Sequence, residues 1–168
     1  MITLGNENQA KRLEISIWNW MRLVRGLRQR GGGRRESGAF LLGLKLGNVL
    51  QVKRIVFYEE LDPDAYQNGI IMFHARGLSA LWAVCRSLRL EVVADCHTHG
   101  NQNTSQSLTD QRNPMIPEIG HMAMIIPFFA QIAAWSIRGI GIHEYLGNFQ
   151  WRRDDSNGVS DFIELKLW

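Results

Sequence analysis

The stretch Leu90-Glu91-Val92-Val93-Ala94-Asp95-Cys96-His97-Thr98-His99, followed by Ser107-Leu108-Thr109-Asp110, decides the reading of this chain. Leu90 to Ala94 is apolar enough for a buried strand. Residues two apart on a strand share a face, so His97 and His99 present both imidazoles on one side of a sheet, near its end. Gly100 to Gln106 is polar and reads as a loop. Ser107 then offers an N-cap, with Asp110 three residues on and on the same side of the first helical turn. Two histidines and an aspartate can therefore meet at a point, with a serine hydroxyl close by. Three N/O ligands with one position left open are the donor set of a catalytic zinc site.

Seven residues, Gly100 to Gln106, separate His99 from Ser107. With Glu36 far upstream, in Glu36-Ser37-Gly38-Ala39-Phe40-Leu41-Leu42-Gly43, the pattern resembles that of the JAB1/MPN/Mov34 (JAMM) metalloproteases: His-x-His, seven residues, Ser-x-x-Asp, and a glutamate before an early strand. Many members carry proline after the second histidine. Here it is Gly100, which changes loop stiffness and removes no ligand. The His121 to Pro127 run is also similar to the strand that follows the motif in bacterial members, so the resemblance extends from about Leu13 to Trp168.

The resemblance implies an α/β fold, the cytidine deaminase-like MPN/JAMM sandwich, with a curved, mostly antiparallel sheet flanked by helices. It implies zinc held by His97, His99 and Asp110, with Glu36 as the base that takes a proton from the attacking water. Ser107 would donate to the oxygen of the tetrahedral intermediate. The reaction class is peptide or isopeptide hydrolysis. The substrate implied is the C-terminal tail of a ubiquitin-like protein, with activating and conjugating enzymes as associates in a bacterial antiphage pathway. Release of an amino acid or sulfur-carrier adduct from a carrier protein, and a non-catalytic scaffold, are the alternatives.

Bulk properties fit one domain over residues 1–168, with 1–11 as a polar lead-in. The chain is 45% apolar and 21% charged with a net charge of +3, ordinary for a globular protein and too weakly basic to imply nucleic acid. The two cysteines, Cys85 and Cys96, make no disulfide framework and fit a reducing compartment. No signal-peptide core follows Met1 and no apolar run spans a membrane, so a cytoplasmic protein is expected.

Leu13, Ile15 and Ile17 alternate as a short strand; from Trp18 the period changes to that of a helix, in which Trp18, Met21, Val24 and Leu27 give an apolar stripe and Arg22, Arg25 and Arg28 an outer face, ending at Gly31-Gly32-Gly33. Arg28, Arg30, Arg34 and Arg35 bracket that turn, as a contact for an acidic partner or nucleic acid or, more commonly for such patches, as a solvated face. Ser37–Leu46 and Val49–Phe57 read as strands joined by Gly47-Asn48. Tyr58 to Gly69 reads as an acidic surface loop, and Ile70 to Phe73 as a short extended piece. Leu78, Leu81, Trp82, Cys85 and Leu88 place a helix over Ala75–Leu88. Cys85 lies on its apolar stripe, and Cys96 points away from the histidine face of its strand. Met115 to Gly120 is a Pro-containing loop. Trp135–Ile142, Glu144–Arg152 and Ser160–Leu167 are expected closing strands or hairpins, with Gly141, Gly147 and Asp154 to Gly158 supplying turns. His74, His121 and His143 have no evident partners and read as structural.

Overall fold

The computed structural model describes residues 11–66, 71–154 and 160–168. Most of the polar lead-in, Ile70 and the turn at 155–158 lie outside the described residues.

A short alternating strand, β1 (Arg12–Ser16), runs directly into α1 (Ile17–Gly31). Ser16 caps the helix by accepting the Asn19 amide at 3.2 Å. Gly32 ends it at φ 58°, a left-handed conformation that glycine adopts without a Cβ penalty. Trp20, Leu23, Val24, Leu27 and Gly31 recur at helical spacing and form its buried stripe. The chain continues through β2 (Gly38–Leu46), β3 (Val49–Phe57), α2 (Tyr58–Leu61), α3 (Ala75–Leu88), β4 (Glu91–Thr98), α4 (Leu108–Arg112), β5 (Met122–Ile126), β6 (Gly141–Gly147), β7 (Gln150–Asp154) and β8 (Ile163–Lys166).

The eight strands of the described residues form one curled sheet in the order β7-β6-β5-β4-β2-β3-β1-β8. Four of its seven pairings are antiparallel; β1 pairs with β3 and β8, and β4 with β5, in parallel. The sheet is therefore mixed, with an antiparallel majority. One face packs against α1, where Leu41, Val52, Ile55, Cys96, Met124 and Ile126 join the helix stripe. On the other, Phe40, Leu42, Val56 and Val92 pack with Leu81 and Cys85 of α3. Fully burying an aliphatic side chain of this kind contributes about 1.5–3 kcal/mol.

Two features position the site. β2 runs antiparallel to β4 with Gly38 opposite His97, so the residues entering β2 lie beside the residues leaving β4. The parallel β4–β5 pairing needs a long crossover, and residues 99–121 supply it as the loop and short helix that carry the remaining donors.

The structure corrects three expectations. Tyr58 to Tyr66 is not a surface loop: Tyr58, Leu61, Asp62, Ala65 and Tyr66 are buried. The acidic composition misleads because Asp62 is enclosed by donors. The His74 and Asp64 amides reach it at 3.0 and 3.2 Å, the His74 ring at 2.5 Å and Arg76 Nε at 2.9 Å. Trp135–Ile142 is largely irregular, because Ile132, Ile137 and Ile140 pack against the α1 layer from loop backbone. Finally, Trp18 leaves the apolar stripe of α1 and is exposed, with Trp20 and Leu23 buried in its place. Glu144–Arg152 is a hairpin, turning just after Gly147. Asn148 and Phe149 adopt φ 50° and 58° there, and Phe is an unusual occupant of such a position.

Candidate metal-binding site

All five residues singled out in the sequence, Glu36, His97, His99, Ser107 and Asp110, line one cleft of about 640 Å³. They come from three separate segments. Ser37 is sewn to the histidine strand: its amide donates to Thr98 Oγ1 at 3.0 Å, and the Thr98 amide donates to the Ser37 carbonyl at 3.0 Å. Ser37 Oγ donates to the Leu27 carbonyl of α1 at 2.9 Å. Gly38 is held by the Tyr66 hydroxyl, which accepts its amide at 3.0 Å and donates to its carbonyl at 3.2 Å. Glu36 is thus fixed at the cleft from the adjoining backbone, and its carboxylate is near enough to act on the His97 ring.

His97 Nε2 and His99 Nε2 stand 3.2 Å apart, and each lies 3.9 Å from Asp110 Oδ2. Donors about 2.0–2.1 Å from a tetrahedral ion are separated by about 3.3 Å, so the histidine pair is already at ligand spacing and the carboxylate is slightly wide. His99 Nδ1 donates to the Asn103 carbonyl at 2.7 Å, which fixes the tautomer and leaves Nε2 with its lone pair toward the cleft. Burial lowers the pKa of His97 from its ordinary value, against opposing pulls from Asp110 and Asp95, and so favours the neutral ligand form. This donor set could hold a metal ion.

Ser107 and Asp110 form a reciprocal capping box. Asp110 Oδ2 accepts the Ser107 amide at 2.8 Å, and Ser107 Oγ accepts the Asp110 amide at 3.1 Å. The same oxygen that faces the histidines is therefore already oriented by the backbone. Ser107 Oγ accepts that bond and lines the cleft, where a hydroxyl is chemically able to donate as well.

Further residues shape the site. Asp95 lies two positions before His97 on the same strand face and lines the cleft, yet is almost fully buried. Its carboxylate accepts from His121 Nε2 at 2.6 Å, with the Tyr58 hydroxyl at 3.5 Å. Burial, then Asp95, raises the Tyr58 phenol well above its ordinary pKa, so it stays a neutral donor. All three histidines read as partnerless have partners: His74 meets Asp62, His121 meets Asp95, and His143 Nε2 donates to the Thr104 carbonyl at 2.9 Å. Strand alternation alone could have placed Asp95 below His97; nothing local indicated His121.

Gly100 has a steric role that loop stiffness does not describe. A Cβ there would sit 2.6 Å from the Phe129 ring, which lies over the loop, and the Phe129 amide donates to the His99 carbonyl at 2.8 Å. Cys96 sits in the opposite, α1-facing core and takes no part in the cleft. Arg28 is spent on the Ala130 and Ile132 carbonyls at 3.0 and 2.5 Å, and Arg30 on Glu59 at 2.8 Å and Glu60 at 3.3 Å. Among the described residues no helix is long and apolar enough to cross a membrane.

No family model matches the chain. Among solved structures it is similar to protein DSY2949 from Desulfitobacterium hafniense, known from a solution structure, with a TM-score of 0.60 and 16% identity over 92% of each chain. At that identity the likeness is one of fold alone: the chain shares its mixed α/β architecture with that protein.

Proposed function

We propose that the chain is a zinc-dependent peptidase or isopeptidase of the JAB1/MPN/Mov34 type, acting on the C-terminal tail of a ubiquitin-like protein. The observation that carries this reading is the convergence of His97, His99 and Asp110 in one cleft with Glu36 and Ser107. His97 Nε2, His99 Nε2 and an Asp110 carboxylate oxygen would hold the ion. When bound, zinc supplies a Lewis acid and brings the pKa of water to about 7.

The chain's own residues do the rest. Glu36 takes the proton of the attacking water as its oxygen adds to the amide carbon. The Ser107 hydroxyl donates to the carbonyl oxygen as charge gathers there. Glu36 then returns the proton to the leaving nitrogen as the C–N bond breaks, giving a carboxylate and an amine. No acyl-enzyme forms, so neither cysteine is used.

The lining of the cleft favours an internal or isopeptide bond over a terminal one. Among the described residues it is lined by the carboxylates of Glu36, Asp95 and Asp110 and by no lysine or arginine, although the chain has 19 basic residues. A substrate with a free carboxylate next to the scissile bond finds no cation to anchor it. Ile71, Phe73, Met115 and Trp151 give the cleft apolar walls for an extended tail.

The test is incubation of the zinc-loaded protein with a ubiquitin-like protein encoded nearby, fused to a tail extension or joined to a lysine, with mass spectrometry of the products. Cleavage at the end of the tail supports the reading. Release of a small adduct alone favours carrier-protein processing, and no cleavage of either substrate by zinc-loaded protein leaves the scaffold role.

A further inference from the structure

The helix that brings Asp110 to the cleft is poorly anchored by itself. α4 has five residues, none of them buried. Its internal bonds are all local: the capping box, the Gln111 and Asn113 amides donating to the Ser107 and Thr109 carbonyls at 3.0 and 2.9 Å, Asn113 Nδ2 to the Thr109 carbonyl at 2.9 Å, and Gln111 Nε2 to the Gln106 carbonyl at 3.2 Å. Local bonds fix the shape of the turn but not its place over the sheet.

Its tether comes from the edge hairpin. Trp151 of β7 donates its indole N–H to the Gln111 carbonyl at 3.2 Å, one residue from Asp110. This hydrogen bond ties the α4 turn to a strand of the sheet. The indole packs on Tyr145 of β6, ring centroids 4.9 Å apart, and also forms a wall of the cleft. The first half of the loop is pinned by the same hairpin. His143 holds the Thr104 carbonyl, Gly141 lies so close to that oxygen that a Cβ would come within 2.1 Å, and Arg153 reaches the Ser105 and Thr104 hydroxyls.

We infer that Trp151 is a positioning residue: it holds the α4 turn over the sheet so that Asp110 stands at ligand distance from His97 and His99. Metal affinity at the end of β4 therefore depends on a hairpin two strands away in the sheet. The inference rests on the metal reading above. The acidic turn alone cannot supply this placement, because a histidine pair with a wandering carboxylate loses the third ligand for much of the time.

The experiment compares wild type with Trp151→Phe, which keeps a ring on Tyr145 but removes the N–H, and Trp151→Ala. Val24→Ala, in the α1 stripe on the opposite face, serves as a control for general destabilisation. Zinc affinity is measured by chelator competition, and hydrogen exchange is followed for the peptide covering 107–113 in metal-free protein. The expected result is zinc binding weakened about fivefold in Trp151→Phe, the effect of one neutral hydrogen bond, and roughly tenfold or more in Trp151→Ala. Exchange at 107–113 should quicken in both, while Val24→Ala lowers only the melting temperature. Unchanged zinc affinity and unchanged exchange in Trp151→Phe would overturn the inference. If wild type takes up no zinc, the metal reading fails, and the exchange measurement still decides whether Trp151 holds the turn.

Discussion

Ser107 is asked to do two things, and replacing it with alanine separates them by magnitude. As a cap, its Oγ accepts the Asp110 amide at 3.1 Å on an exposed turn. Losing such a bond costs about 1 kcal/mol, a factor of roughly five in any equilibrium that needs the turn formed. Zinc affinity should therefore fall no more than about fivefold in Ser107→Ala, because the Asp110 carboxylate still accepts the Ser107 backbone amide at 2.8 Å. As an oxyanion donor the same hydroxyl is worth more: loss of such a group costs roughly 10²- to 10³-fold in turnover, about 2.7–4 kcal/mol. Ser107→Thr keeps a hydroxyl and a cap and serves as the reference. The assay is zinc affinity by competition alongside kcat on a tail-fusion substrate at saturating zinc. A fall in kcat of fivefold or less, matching the loss in zinc affinity, would refute the donor role and leave Ser107 as a helix cap.

Two further predictions follow from the same geometry. Glu36→Gln keeps the size of the side chain and removes the base, so the variant should fold, bind zinc and bind substrate, with hydrolysis down by roughly 10²- to 10⁴-fold; full activity would remove Glu36 from the mechanism, and loss of zinc would recast it as a ligand. Burial alone would push Asp62 up, but the His74 amide and ring, Arg76 and the Asp64 amide together hold it well below the usual carboxylate range. Its folded pKa lies under its unfolded value of about 3.9, so its contribution is complete above roughly pH 5 and is lost as pH falls through 4 and below. Asp62→Asn should cost about 2 kcal/mol at pH 7 in urea unfolding and progressively less toward pH 3; an equal difference at both pH values would contradict this account of the loop that leads to Ile71 and Phe73.

The parts of this molecule written in periodicity were legible in the sequence. The helical period that begins at Trp18 gave α1, with Val24 and Leu27 on its buried face, although Trp18 is exposed and Trp20 and Leu23 are buried instead; β3 and α3 fall at the residues the pattern gave, Val49–Phe57 and Ala75–Leu88. The donors on β4 and α4 were legible because both depend on local geometry: alternation for His97 and His99, a capping box for Ser107 and Asp110. Glu36 was placed by resemblance, and its physical reason is long-range, the antiparallel register that sets Gly38 against His97. What stayed hidden is polar and non-local. Asp62 looked solvated because its partners His74 and Arg76 lie twelve and fourteen residues on. His121 and Asp95 meet across the neighbouring strand, and Trp151 reaches Gln111 over forty positions. A strand was misplaced over Trp135–Ile142 because the apolar residues of 132–140 pack on α1 without forming a ladder, whereas Gly147 did mark the turn between β6 and β7.

The central claim is that His97, His99 and Asp110 form one metal site served by Glu36, and metal content of the purified chain and four variants tests it most directly. Elemental analysis after zinc loading and desalting should give about one zinc per chain in wild type and in Glu36→Gln. His97→Ala, His99→Ala and Asp110→Ala should each lose most of it while keeping the fold by circular dichroism. Wild type that takes up no zinc, or folded ligand variants that retain it in full, would contradict the account.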